Sequence, residues 1–188
     1  MAAAAAMEPP IAAAVVDDQE LIAATLAGRS DAFGELVGRY ERAVYNLAVR
    51  TLRDRTEAED AAQEAFFKAY RALHTFRPGA KFSTWIFTIC YRGCCDRLAK
   101  RKRLSGDELP ARADPAPGPA LLAERKDDAE RLRRAIDELP EKYRTVITLY
   151  HLQGKQYEEI ATVLNLPLGT VKTHLFRAKE LLRKALTT

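Results

Sequence analysis

Apolar residues recur every three or four positions through most of the chain, which is the spacing of one buried helix face. No segment alternates apolar and polar residues over a length that predicts a β-strand. The longest apolar stripe lies in the first half of the chain and comprises Phe33, Leu36, Val37, Tyr40, Val44, Leu47, Ala48 and Leu52. The pattern therefore predicts an all-α protein.

Capping and turn residues indicate where the helices of the first half begin and end. Thr56 and Glu59 have the spacing of a capping box, which predicts the start of a second helix. Pro and Gly at 78–79 predict a loop. Ser83 is the predicted N-cap of a third helix, which we expect to extend to Arg103.

The helical pattern is interrupted at residues 104–120, which contain four of the nine prolines, Pro110, Pro115, Pro117 and Pro119. Such a segment is typical of a flexible linker. We therefore expect two small helical domains, at 17–103 and 121–188. The Ala-rich residues 1–16 carry no Lys or Arg, so they lack the positive end of a signal peptide, and we expect a disordered leader with no membrane insertion.

The segment 157–176 has the pattern of a helix-turn-helix. Ala161 is small where two helices would cross, and Asn165 tolerates the left-handed backbone of a tight turn. The predicted shared core is Ile160, Leu164, Val171 and Leu175. A helical hairpin with a merely solvated basic face is the alternative, and it requires these features to coincide by chance.

The second helix of this motif is predicted to start near Gly169, and a recognition helix reads base edges mainly through its N-terminal residues. Its free backbone N–H groups would face a DNA phosphate. The residues predicted to face DNA are Thr170, Lys172, Thr173, Phe176 and Arg177. Lys, Thr and Arg side chains can donate hydrogen bonds to base edges and phosphates.

Charge is distributed unevenly, although the net charge is only +4. Residues 54–64 carry five acids, Asp54, Glu57, Glu59, Asp60 and Glu64. Residues 97–103 carry five bases, Arg97, Lys100, Arg101, Lys102 and Arg103. An acidic and a basic cluster on one small chain indicate at least two kinds of partner.

Three segments together resemble the extracytoplasmic-function (ECF) group of bacterial RNA polymerase sigma factors. They are Asp54-Arg-Thr-Glu-Ala-Glu-Asp-Ala-Ala-Gln-Glu-Ala-Phe-Phe-Lys-Ala-Tyr70, Phe76-Arg-Pro-Gly-Ala-Lys-Phe-Ser-Thr-Trp-Ile-Phe87 and Gly169-Thr-Val-Lys-Thr-His-Leu-Phe-Arg-Ala-Lys179. The resemblance implies a cytoplasmic protein that binds core RNA polymerase and promoter DNA, with no catalytic activity and no cofactor. An anti-sigma protein is a further partner of the kind that many relatives have.

The resemblance also implies roles for residues of the first domain. Asp60, Gln63, Glu64 and Phe67 match the helix that docks on the largest polymerase subunit. The residues matching the part that opens and reads the minus-10 element are Phe76, Lys81, Phe82, Trp85, Tyr91, Arg92, Lys100 and Arg101. Single-stranded bases stack on aromatic rings beside a basic track. Phe82 and Trp85 are equally suited to a core position, whereas we expect Tyr91 to be exposed. Relatives often carry Asn in place of Arg92, so the sequence preference at this site stays open.

The linker length leads to an expectation about the free protein. Its 17 residues reach at most about 60 Å when fully extended and average roughly 23 Å as a flexible coil. The tether alone therefore leaves the two domains without a fixed separation. Because a promoter requires a fixed separation, we expect core polymerase to set it.

Two other classes of protein share part of this sequence pattern. The segment 169–175 also resembles the recognition helix of LuxR-type response regulators, but residues 17–103 show no strand–helix alternation of a receiver domain. Cys90, Cys94 and Cys95 are the basis for an enzyme or metalloprotein. Three thiols lack the C-x-x-C spacing of a zinc site, and we expect buried small hydrophobes rather than metal ligands.

Overall fold

The computed structural model describes residues 16–105 and 123–187, and the regular structure of these two ranges is helical. The helices are α1 (Asp18–Leu26), α2 (Ser30–Leu52), α3 (Arg55–Ala72), α4 (Phe82–Ser105), α5 (Ala123–Glu138), α6 (Glu141–Ile147), α7 (Tyr157–Leu164) and α8 (Leu168–Thr187). A 3₁₀ turn, Leu73–Thr75, follows α3, and a π-helical turn, Thr148–Leu152, follows α6. The all-α prediction is confirmed. The predicted leader lies outside the described residues except for Val16, and so does the predicted linker except for Leu104 and Ser105, which belong to α4.

The first four helices share a core around α2. Its predicted apolar stripe is buried, with Val37 and Tyr40 at the margin. Helix α3 faces this core with alanines, Ala58, Ala61, Ala62, Ala65 and Ala69, because small side chains allow two helices to approach closely. Helix α4 contributes Ile86, Phe87, Cys90 and Cys94, all at most 1% exposed.

Two predicted caps of the first domain are wrong. Helix α3 is capped by Asp54, whose carboxylate accepts a hydrogen bond from the Glu57 backbone N–H at 2.9 Å, so the Thr56–Glu59 capping box does not form its start. Helix α4 begins at Phe82, because the Lys81 carbonyl already accepts from the Trp85 N–H at 3.2 Å. Ser83 therefore lies inside the first turn, and its hydroxyl accepts a hydrogen bond from Lys155 instead of capping the helix.

The second half folds around α6 and α8, with α7 packed against α8. Asn165 has φ 52° and ψ 48°, which confirms the predicted left-handed turn between α7 and α8. A capping box between Gln156 and Glu159 starts α7. Helix α8 begins at Leu168, one residue before the predicted start near Gly169.

The two halves pack against each other, with α4 on α7 and α2 on α6. This contact differs from the expectation that the domains have no fixed separation. A 17-residue linker by itself permits many separations, and attraction between the surfaces of the two halves favours this one. Arg144 of α6 lies in this contact and is only 4% exposed, which shows that the packing buries charge as well as apolar surface.

Candidate functional site

The outward face of α8 carries the residues predicted to face DNA. Lys172, Thr173, Phe176 and Arg177 are exposed, and Phe176 keeps 65% of its surface open. Thr170, at the start of the helix, is half-buried. The opposite face, Val171, Leu175, Ala178 and Leu182, is buried, which confirms the predicted core positions of Val171 and Leu175. The helix therefore presents a cationic and aromatic strip that no neighbouring element of the described chain covers.

Two aromatic contacts hold α8 in place without using this strip. The Lys179 ammonium lies 5.0 Å from the centre of the Tyr150 ring, and His174 packs edge-on against Tyr143 with ring centres 5.5 Å apart. Burial, together with the nearby Lys142 ammonium, lowers the pKa of His174. The lowered pKa favours the neutral imidazole at pH 7. The strip's positive charge comes from Lys172 and Arg177.

Helix α3 carries the residues predicted to dock on polymerase, and these residues differ in how exposed they are. Asp60 and Gln63 are exposed, and Phe67 keeps 61% of its surface open. The Glu64 carboxylate instead makes ion pairs with Arg97 of α4 at 2.7 Å and with Lys68 at 2.8 Å. The hydrogen bond from Lys68, with that from Arg97, lowers the pKa of Glu64. Glu64 thus links α3 to α4, while Asp60, Gln63 and Phe67 lie open.

Sequence reasoning missed two residues of this face. Tyr70 is 47% exposed and packs edge-on against Phe33 with ring centres 5.0 Å apart. The Arg71 guanidinium lies 5.7 Å from the centre of the Phe67 ring. Positions 63, 67, 70 and 71 share one helix face, so helical spacing was the signal that would have found them.

The aromatic residues predicted to read single-stranded DNA form a cluster inside the first domain. Phe82 is 1% exposed and Phe76 is 9% exposed. Trp85 is half-buried and packs against Phe76 with ring centres 5.2 Å apart. The ring of Tyr40 closes the cluster at 5.5 Å from Phe82. Phe76 and Phe82 therefore contribute to the core, and Trp85 is the most accessible of these three residues.

The remaining residues of this predicted site divide between solvent and internal contacts. Arg92 and Lys100 are exposed. Lys81 is exposed as well, and its ammonium lies 3.3 Å from Glu159 of α7. Arg101 is half-buried and pairs with Glu57 at 3.6 Å.

The prediction that Tyr91 is exposed is wrong, because it packs half-buried against the core. Burial is the largest cause of its raised pKa, and interactions with Cys95 and Glu141 raise it further. Glu141 belongs to α6, so a charge of the second half of the chain contributes to this shift in the pKa of Tyr91.

Family models match both halves of the chain. The model described as Sigma-70 region 2 matches residues 36–104, and the one described as Sigma-70, region 4 matches residues 129–182. The RNA polymerase sigma-H factor of Pseudomonas aeruginosa is 38% identical over 183 residues, covering 90% of this chain and 93% of the relative. The ECF RNA polymerase sigma factor SigW of Bacillus subtilis is 36% identical, covering 85% and 91%. The chain belongs to the ECF sigma factors.

Solved structures agree with this assignment. The chain superposes on CnrH, solved in complex with the cytosolic domain of CnrY, with a TM-score of 0.66 and 27% identity, covering 90% of this chain and 97% of CnrH. RpoE of Bartonella quintana, solved in complex with the anti-sigma factor NepR, gives a TM-score of 0.69 at 23% identity, covering 83% and 97%, which shows the shared fold. Sigma factors are transcription initiation factors and not enzymes, so the prediction of a non-enzymatic protein is confirmed.

The assignment decides between a sigma factor and a LuxR-type regulator. The region 2 match occupies the place where a LuxR-type regulator would have its receiver domain. Cys90 and Cys94 are buried and Cys95 is half-buried, and a hydrogen bond with Cys94, together with burial, raises the pKa of Cys90. Among the described residues of this sigma factor, no group of three or more His, Cys, Asp or Glu side chains is placed to hold a metal ion. None of the described helices is long and apolar enough to span a membrane.

Proposed function

We propose that this sigma factor binds core RNA polymerase and directs it to specific promoters in the cytoplasm. In this proposal residues 17–103 form a domain that docks on polymerase and opens the minus-10 element, and residues 121–188 form a domain that reads the minus-35 element. The outward strip of α8 is the observation that carries the proposal. It combines two cations, a hydroxyl and an exposed ring on a helix whose other face is fully used in packing.

The upstream half of the proposal assigns base reading to Lys172, Thr173 and Arg177. An exposed guanidinium can form paired hydrogen bonds to a guanine edge, and the exposed Phe176 ring can contact a thymine methyl group. The Thr173 hydroxyl donates to the Gly169 carbonyl at 2.9 Å. Because that bond uses its proton, we expect Thr173 to act towards DNA as an acceptor. Thr170 lies at the N-terminus of α8, where a helix favours a phosphate.

Polymerase docking is assigned to the exposed part of α3. An aromatic anchor, Phe67, with Asp60 and Gln63 beside it, is the combination that protein interfaces favour at their centre and rim. Tyr70 and Arg71 extend this surface on the same helix face. Glu64 forms ion pairs with Lys68 on the same helix and with Arg97 of α4, and these pairs connect the docking helix to α4.

Opening of the minus-10 element is assigned to α4 and the loop before it. Trp85, with its half-buried ring, is the stacking surface that is accessible without unfolding the aromatic cluster. Arg92 and Lys100 provide exposed positive charge for the strand backbone, and Lys81 provides it at the start of the helix. Phe76, Phe82 and Tyr91 contribute only if α4 or its neighbours move.

Run-off transcription with purified bacterial core polymerase on a promoter library tests the proposal. We expect the reconstituted enzyme to initiate at a shared promoter sequence, and a variant with Lys172, Thr173 and Arg177 all changed to Ala to lose its upstream preference. Tight operator binding by the isolated protein, with no response to core polymerase, would instead favour a repressor.

A second experiment isolates docking from DNA recognition. Asp60→Lys reverses an exposed charge on α3, so we expect weaker assembly with core polymerase and an unchanged thermal melt, since surface substitutions usually alter stability by less than about 0.5 kcal/mol. Glu20→Lys, at an exposed position on α1, is the matched control. Loss of thermal stability in Asp60→Lys with full core affinity would show that Asp60 is structural.

An anti-sigma protein completes the proposed set of partners. The sigma factor of the same fold from Bartonella quintana is solved with the anti-sigma factor NepR. We expect a partner of this class to compete with core polymerase, and a competition assay against labelled core would detect it.

A further inference from the structure

The exposed loop before α4 contains a tight turn at Pro78 and Gly79. The Ala80 N–H donates to the Arg77 carbonyl at 3.1 Å, and this hydrogen bond closes the turn. Gly79 has φ 81°, a left-handed value that glycine adopts without strain. Proline followed by glycine at the two central positions is the sequence of a type II turn. Each residue from 77 to 81 is exposed, so burial contributes little to fixing the conformation of the loop.

Helix α1 holds this loop through one side chain. The Gln19 side-chain amide donates to the Ala80 carbonyl at 2.9 Å. The two residues are 61 positions apart, so the bond depends on the placement of α1 and not on local turn chemistry. Gln19 is half-buried, which strengthens the bond because water competes less for a shielded amide. The C-terminal side of the turn is therefore tied to a helix from another part of the chain.

Helix α1 is itself fixed on α2 by the Asp18 carboxylate. This carboxylate accepts hydrogen bonds from the Arg39 guanidinium at 2.9 Å and from the Tyr40 hydroxyl. Burial, together with the hydrogen bond to Asp18, raises the pKa of Tyr40, so the phenol keeps its proton and donates it. The ring of Tyr40 also packs against Phe82, the first residue of α4, with ring centres 5.5 Å apart. The helix that carries Gln19 and the helix that follows the loop thus contact the same residue of α2.

We propose that Gln19 is a positioning residue for minus-10 recognition, because it holds the loop of residues 77–81 in the conformation that selects promoter bases. The selection step rests on the function proposed above, which assigns opening of the minus-10 element to α4 and this loop. A binding surface discriminates well when supporting hydrogen bonds hold it in one geometry. A loop that samples several conformations can accommodate bases that a single conformation excludes. In this role Gln19 acts through the Ala80 carbonyl and need not contact DNA.

Substitutions at position 19 remove the donor while they keep a good helix former. Gln19→Glu has nearly the same shape, but its carboxylate only accepts hydrogen bonds and cannot donate to the Ala80 carbonyl. Gln19→Met has a similar length with neither donor nor charge, and Gln19→Lys restores a donor. Glu20→Ala, at the exposed neighbouring position on α1, is the matched control. Circular dichroism and a thermal melt verify that each variant is folded.

Hydrogen exchange of the full chain, followed by mass spectrometry, measures the order of the loop. The Ala80 N–H is the reporter, because it closes the turn. We expect peptides covering residues 77–81 to exchange about two- to tenfold faster in Gln19→Glu and Gln19→Met, the factor that corresponds to one hydrogen bond. Gln19→Lys and Glu20→Ala should match the wild type. Wild-type exchange in both variants without a donor would overturn the proposal that Gln19 holds the loop.

Promoter-library selection with reconstituted holoenzymes measures recognition. We expect Gln19→Glu and Gln19→Met to lose about two- to fivefold of their discrimination at one or two minus-10 base pairs. Their minus-35 preference and their affinity for core polymerase should match the wild type. Gln19→Lys should regain the minus-10 preference and bind all sequences more tightly through its added charge. A lower melting temperature with unchanged minus-10 preference would show a merely structural role and would overturn the proposal.

Gly79→Ala separates the role of Gln19 from that of the loop. Alanine is strained at φ 81°, so this substitution disturbs the turn while the Gln19 amide is still present. Altered minus-10 preference in Gly79→Ala, with wild-type preference in both variants without a donor, would show that the loop reads bases unaided by Gln19. Failure of the wild-type holoenzyme to initiate at specific promoters would refute the proposed function. Initiation with the same minus-10 preference in every variant would refute only the positioning role.

Discussion

Helices α8 and α4 were both predicted to read DNA, yet they differ in how much of their surface the fold uses. Helix α8 packs through one stripe, from Val171 to Leu182, and its predicted reading residues lie on the opposite, exposed face. Helix α4 packs against α2, α3 and α7, so several of its predicted reading residues also serve the fold. A helix packed on one side presents a ready-made surface, whereas a helix packed on several sides must rearrange before all of its residues can bind a partner.

The largest expected effect is a loss of stability on removing the Phe82 ring of α4, compared with removing the Phe176 ring of α8. Phe82→Ala removes a ring that is 1% exposed and packs against Phe33, Tyr40, Phe76 and Trp85. We expect it to lower the free energy of unfolding by about 3–5 kcal/mol, because the cavity cannot fully collapse. Phe176→Ala removes a ring that is 65% exposed, and we expect a change within about 0.5 kcal/mol. Urea denaturation of both variants measures the contrast, and equal losses would refute it.

Arg144→Met comes next, because it removes the buried donor that joins the two halves. Three backbone carbonyls lose a hydrogen bond from a charged group, and we expect the free energy of unfolding to fall by about 3 kcal/mol. Arg133→Met, at an exposed position on α5, is the control. Thermal and urea unfolding check this prediction. A loss no larger than that of the control would show that the guanidinium is dispensable for packing.

Arg177→Ala tests whether the exposed face of α8 reads DNA, and it concerns binding free energy instead of stability. Loss of a base contact should cost about 1–3 kcal/mol of binding free energy and relax the preference at one base pair. A phosphate contact, in contrast, should weaken all sequences alike and make the salt dependence shallower by about one counterion. Promoter-library selection at several salt concentrations distinguishes these outcomes, with Lys172→Ala compared in parallel. An unchanged selection profile for both variants would remove DNA reading from this face.

The smallest effect concerns Glu64 of α3, whose carboxylate forms an ion pair with Arg97 of α4. The folded protein holds the pKa of this carboxylate below its ordinary value of 4.5 through hydrogen bonds from Lys68 and Arg97. Its contribution to stability is therefore fully present above that value and is lost as the pH falls through the lowered pKa. We expect Glu64→Gln to cost at most about 1 kcal/mol at pH 7, because the carboxylate side chain is 43% exposed.

The pH dependence is the diagnostic part of this prediction. The difference in unfolding free energy between wild type and Glu64→Gln should shrink as the pH is lowered below about 4.5. Glu59→Gln, at an exposed position on the same helix, should show no comparable change. Urea denaturation at several pH values measures both variants. A difference that persists undiminished in acid would indicate packing of the longer side chain instead of the ion pairs.

Hydrophobic periodicity determined most of the local architecture. The α2 stripe, the helix-turn-helix, the left-handed turn at Asn165 and the exposed face of α8 all follow from spacing and from turn chemistry, which act over a few neighbouring residues. The same local rules placed the caps of α3 and α4 two residues or less from where they form. Asp54 starts α3 because its carboxylate accepts from the Glu57 N–H, and α4 starts after Lys81, whose carbonyl accepts from the Trp85 N–H.

Only the tertiary structure decided which predicted site residues are accessible. Phe82 and Trp85 have the same residue chemistry whether they are buried or exposed, and the packing of α2 and α4 buries Phe82 while it leaves Trp85 half-open. Glu64 differs from Asp60 because Arg97, distant in sequence, reaches only the former. The contact between Glu159 and the start of α4 joins residues about 75 positions apart. Such pairings depend on the relative placement of whole helices, which periodicity within one helix does not encode.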